Sequence, residues 1–183
     1  MQSNNKGLDP AWTQVDGQTD AELWSRFDIT FAFSRSDDLS QPVIRDPAHS
    51  VTFDLSGPDL PAVDGATFMA VETEALRCFV TALADVEELF VLNWQHTSHR
   101  FRPAVEAADL SPKSFRGEHP SVYPDGDYYA YVSPDFVEGT FGHPWEPSLC
   151  VFGPRMVHSL GRSLAGWLPI KRLGTEVSLS FPF

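Results

Sequence analysis

Gly126-Asp127-Tyr128-Tyr129-Ala130-Tyr131 begins a stretch that runs through Gly139-Thr140-Phe141-Gly142-His143-Pro144-Trp145-Glu146 to Leu149-Cys150-Val151-Phe152-Gly153. Glycine and proline stand in it where a chain turns tightly. Between them, apolar residues alternate with the two-residue period of strands near 127–133, 138–142 and 148–152. Connections this short join antiparallel neighbours. The same stretch gathers eight ring-bearing side chains with several ionisable ones, so any site chemistry is sought here first.

Upstream, Val51-Thr52-Phe53-Asp54-Leu55-Ser56 alternates as a strand that Gly57-Pro58 ends. Glu88 to Gln95 has the continuous apolar run of a central strand, and His99 to Arg102 forms its partner, stopped by Pro103. Helices are predicted on both sides of these strands. Thr19-Asp20-Ala21-Glu22 has the form of a capping box, which opens a helix over 20–30. A second helix covers 65–84, with Met69, Leu76, Phe79, Val80 and Leu83 as its apolar stripe. A third opens at Gly153-Pro154 and buries Met156, Val157, Leu160, Leu164 and Trp167. A short strand near 169–173 and an apolar tail from Val177 complete the chain. Residues 1–18 read as a flexible leader, residues 19–183 as one domain, and the Pro-rich 103–126 as a long loop. The expected fold is α+β: a mainly antiparallel sheet with about three helices on one face, a two-layer sandwich.

Composition narrows the function classes. The chain has 183 residues, 42% of them hydrophobic, enough for a core of its own. No apolar run approaches the roughly 20 residues of a membrane helix, and the N-terminus has no secretory h-region. A cytoplasmic protein with no membrane partner is expected. Cys78 and Cys150 lie between apolar neighbours and are expected to be reduced, buried hydrophobes. The net charge of −12 repels phosphate backbones, so nucleic acid is not an expected partner and a basic protein is.

The chemical candidates are few. His143 and Glu146 flank Pro144-Trp145, and Asp127 opens the preceding strand; together they make a candidate catalytic acid–base set. Trp94, His96, Tyr129 and Trp145 are the candidate ligand-binding residues, as walls of an adjoining pocket. His96 and His99 offer two imidazoles, but no HExxH helix or paired CxxC accompanies them, so neither metal nor cofactor is expected. Gly139-Thr140-Phe141-Gly142 continues into His-Pro rather than a Lys-Ser helix and is no phosphate loop. Arg100, Arg102, Lys113 and Arg116 form the basic cluster, expected to pair with the surplus acids.

Several of these segments resemble one family. Phe27 to Ser36, Ser50-Val51-Thr52-Phe53-Asp54, Glu74-Ala75-Leu76-Arg77, Asn93-Trp94-Gln95-His96, Gly126-Asp127-Tyr128-Tyr129 and Gly139 to Glu146 look like the bacterial "domain of unknown function 2716" family. The likeness spans roughly 20–172 and implies a bacterial cytosolic protein, with no activity to carry over. The functional expectation is therefore a small acidic binding domain, comparable to an immunity protein. The alternative is a small enzyme built on His143, Glu146 and Asp127.

Overall fold

The computed structural model describes residues 11–34, 44–57, 65–109 and 119–177. Its strands are β1 (Trp12–Gln14), β2 (Ser50–Asp54), β3 (Leu89–Asn93), β4 (His99–Phe101), β5 (Tyr129–Val132), β6 (Gly139–His143), β7 (Ser148–Phe152) and β8 (Ile170–Leu173). They form one eight-stranded sheet in the order β1-β4-β3-β5-β6-β7-β2-β8, every pair antiparallel. The helices are α1 (Gly17–Phe31), α2 (Ala66–Ala82), α3 (Pro103–Ala108) and α4 (Pro154–Met156), which runs on through a π-helical turn (Val157–Gly161) into α5 (Arg162–Leu164). The molecule is α+β with an antiparallel sheet, as expected.

The β5-β6-β7 meander sits at the centre. Ala130 faces Phe141 across β5 and β6, and Phe141 faces Cys150 across β6 and β7. Alternation splits these strands between two cores. Leu89, Val91, Tyr131, Leu149 and Val151 pack with Phe68, Val71, Ala75, Cys78 and Phe79 of α2 and with Met156, Leu160 and Leu164. Leu92, Ala130, Val132, Phe141, Cys150 and Phe152 pack with Leu23, Trp24, Phe27 and Phe31 of α1, and with Phe33 beyond it. So α1 covers the face opposite α2, which corrects the expectation of all helices on one face: the strands carry apolar side chains on both sides and need cover on both. A strand buried on both faces has no polar side to show, which is why Leu89–Asn93 and Ser148–Phe152 read as nearly unbroken apolar runs.

The local signals act somewhat differently from their sequence reading. Asp16, not Thr19, caps α1: its Oδ1 accepts the amide N–H groups of Gln18 (3.0 Å) and Thr19 (2.9 Å), so the helix starts earlier. Ala32 ends it in the left-handed region at φ 50°. From Trp12 on, the expected leader is part of the sheet, because Trp12 stacks on Phe101 at 4.3 Å and on His119 at 4.4 Å. The buried face of α2 carries the small Ala75 and Cys78, while Met69 and Leu76 sit at its margin. Trp167 is 43% exposed rather than buried. The expected loop 103–126 contains α3, and its residues 120–124 are buried. Arg100 pairs with Glu88, whereas Lys113, Arg116 and the tail 178–183 lie outside the described residues.

Glu138 ties the meander to the C-terminal helical segment. Its buried carboxylate accepts the N–H groups of Arg155 (3.1 Å) and Met156 (3.0 Å), the free donors of the first turn. Gly153 permits this approach: it has φ 89°, and a Cβ there would lie 2.2 Å from the Glu138 carboxylate.

Candidate functional site

One end of the sheet collects the β3–β4 turn, the start of β5 and the β6–β7 turn. The β3–β4 turn passes through Gln95 at φ 65°, a conformation that L side chains adopt at a cost. Its geometry is fixed from two sides. Trp94 donates its amide to the Tyr128 carbonyl (3.1 Å), and Ser98 donates its amide to Asp20 Oδ1 of α1 (3.0 Å). An open groove results, lined by Asp20, Trp24, Trp94, Gln95, His96 and Thr97.

Tyr128 is the hub of this end. Its ring lies 5.6 Å from Trp94, 5.5 Å from His143 and 5.9 Å from Trp145, mostly edge-on or tilted. Burial pushes its hydroxyl up to about 12, with Glu146 and Asp127 adding to the rise. Trp94 is nearly buried, whereas Trp145 is 43% exposed, so the aromatic row runs from the core to solvent. Tyr129 points to the other face of the sheet, beside Asp125. There burial, then Asp125, raises its hydroxyl.

The three acid–base candidates are not drawn into one hydrogen-bonded set. His143 is buried between Phe141 (5.4 Å) and Tyr128, and its Nε2 has no hydrogen-bond partner among the described residues. Burial lowers its pKa; Glu146 and Asp46 act against that, Arg172 and Lys171 with it. Glu146 is occupied elsewhere. Arg172 donates to both of its oxygens, one at 2.9 Å, and the Ser148 hydroxyl donates at 2.6 Å. Partial burial acts to raise the Glu146 carboxyl, but Arg172 and Ser148 outweigh it and hold the group at about 2. Asp127 accepts the Tyr128 amide at 2.8 Å and lies 3.8 Å from His96 Nε2. Burial raises its carboxyl against both of these partners.

Sequence reading missed the cation that organises this end. Arg172 also donates from Nε to Asp46 (2.7 Å), which accepts the Thr52 hydroxyl (2.8 Å). Arg172 lies 26 residues from Glu146 and 126 from Asp46, so no spacing could reveal the set. The groove residues Asp20 and Trp24 were visible only as parts of a helix. Of the paired histidines, His96 faces Asp127, while His99 packs 6.0 Å from Trp12 and 5.9 Å from His119. Among the described residues no three His, Cys, Asp or Glu side chains could hold a metal ion, and no helix is long and apolar enough to cross a membrane.

Comparison with known proteins agrees with the resemblance. The family described as "Protein of unknown function (DUF2716)" matches residues 14–157. The chain is similar to the "Uncharacterized protein YxiI" of Bacillus subtilis (strain 168), 33% identical over 91 residues, 49% of this chain. It spans about half the length, 54%, of that relative. No solved structure matches.

Proposed function

The chain belongs to the DUF2716 family, and we propose that it is a cytosolic binding domain that takes a cationic protein partner at the aromatic, acid-rimmed end of its sheet. One observation carries this reading: the row Trp94-Tyr128-Trp145 emerges from the core beside Asp20 and Asp127. Exposed tryptophan beside carboxylates suits Lys and Arg, whose cations gain about 0.5–1 kcal/mol over an accessible ring. The net charge of −12 steers such a partner inward from a distance. Free, buried Cys78 and Cys150 suit a reducing compartment. An immunity protein facing a basic toxin works by the same electrostatics.

Affinity capture from the source cell tests the idea, with the wild type and Trp145→Ala as baits. The expected catch is a stoichiometric basic protein, released by salt and held at least about tenfold more weakly by the variant. No catch, or equal capture by a folded Trp145→Ala chain, would remove the basis of the reading. The enzymatic alternative rests on the neutral Nε2 of His143, unpartnered among the described residues. It requires a co-purifying small molecule and a turnover that His143→Asn abolishes without unfolding the protein.

A further inference from the structure

We propose that residues 119–128 form a pH-responsive strap, latched to α2 by the Glu72 carboxylate, which positions Asp127 and Tyr128 and thereby regulates the binding surface. The regulation rests on the binding reading above; the latch does not.

The strap is seated residue by residue. Tyr123 donates its amide to Glu72 Oε1 at 2.7 Å, and the neighbouring Val122 amide also favours the ionised carboxyl. The buried Tyr131 hydroxyl donates to the Pro120 carbonyl at 2.5 Å. The Ser121 hydroxyl donates to the Tyr123 carbonyl at 2.6 Å. The Tyr123 ring meets Phe68 of α2 at 5.7 Å. Pro124 lies over Gly142, where a Cβ would come within 2.9 Å of it. Beyond Pro124 the chain surfaces at Asp125 and Gly126, the latter at φ 137°, then delivers Asp127 and Tyr128 to the site. Lifting residues 120–124 must therefore disturb Tyr128, the ring that Trp94, His143 and Trp145 share.

Among the described residues the latch is a carboxylate without a cation. The described groups facing it are Asp125 and Tyr123 from the strap and Tyr131 from β5, with Tyr129 and Glu106 of α3 beyond Tyr131. All are neutral or anionic. On its own helix, Glu74 and Arg77 are spent on each other. Burial pushes the Glu72 carboxyl up to about 7, the two amides pull it down, and Asp125 adds to the rise. With the strap open, the group returns to water and its ordinary value of 4.5. The closed strap thus binds a proton that the open one releases. As pH rises across that window the closing equilibrium weakens by up to about 300-fold.

Amide hydrogen exchange without any partner tests the latch. After correction for intrinsic rates, protection at residues 121–124 should fall at least about tenfold between roughly pH 5.5 and 8.5. The fall should exceed any fall in α1, and Glu72→Gln should abolish it. Level protection in the wild type, or the same fall in the variant, overturns the proposal. Should the variant not fold, a carboxyl NMR titration of wild-type Glu72 decides: a midpoint near 7 supports the latch, and one near 4.5 refutes it. A synthetic Lys-rich peptide, followed by tryptophan fluorescence, then tests the regulation. It should bind about tenfold more weakly at the higher pH to the wild type and equally at both to Glu72→Gln. Wild-type binding that does not change with pH refutes the regulatory step, and no binding at either pH refutes the surface, while the exchange result stands apart from both.

Discussion

The β6–β7 turn and the strap meet at Tyr128, and each is fastened through one glutamate, yet the two fasteners work in opposite electrical senses. Glu146 sits between Arg172 and Ser148 and stays ionised down to about 2. Glu72 accepts the Tyr123 amide, has no cation near it among the described residues and is half-neutral at about 7. The same side chain is a fixed charge in one place and a titrating latch in the other. A guanidinium offsets the desolvation that amide dipoles alone leave uncompensated.

The contrast can be broken from either side. Glu72 should give the largest effect. Its folded-state value lies above the ordinary 4.5, so the folded protein holds a proton the unfolded chain has lost, and stability declines as pH climbs from there past 7. Full expression of that shift is worth about 3 kcal/mol. Urea denaturation of Glu72→Gln across pH 5 to 8, as a rough range, should lose that slope and show a variant more stable than wild type at the alkaline end.

Arg172→Ala comes next, removing the cation that Glu146 and Asp46 share. Glu146 has its folded value below 4.5, so its contribution is complete above that value and drains away as pH falls toward 2. Because these side chains are more than a third exposed, solvent screening reduces the expected loss at neutral pH to roughly 1–2 kcal/mol. The acid limb of the wild-type stability curve should flatten in the variant. A limb left unchanged would mean that Arg172 does not set the Glu146 charge.

Ala32→Gly is the smallest change and touches neither fastener. Ala32 holds φ 50° at the end of α1, where glycine pays no Cβ penalty. A gain of about 0.5–1 kcal/mol is expected in thermal denaturation, with no change in either pH limb. Any shift in those limbs would show that the pH terms report global stability rather than two local carboxylates.

Most of the strand pattern was legible because its causes are local. Alternation around Val51-Thr52-Phe53, the turn at Pro144, and the Gly153-Pro154 helix start all act within a few positions. The placing of α1 on the face opposite α2 was not read: the helices were expected on one face, and strands apolar on both sides were the trace of a second layer. Thr19 looked like the cap because the motif is written in sequence, but Asp16 reached the free amides first. The candidate site was half legible. Trp94, His96, Asp127, Trp145 and Glu146 do gather at one end, joined through Tyr128, but Tyr129 alternates to the opposite face. Asp127 and Glu146 each found a different partner from His143.

By itself the sequence determined the class of fold, the antiparallel meander from Tyr129 to Phe152, the family and the acidic field, because periodicity, turn chemistry and net charge are sums over near neighbours. Tertiary structure alone decided which glutamate would be a permanent anion and which a proton-sensitive latch. That depends on Arg172 reaching Glu146 across 26 residues and on Tyr123 bringing only an N–H to Glu72 across 51. A carboxyl group's charge is set by what the fold places within a few ångströms of it, and chain spacing does not encode that distance.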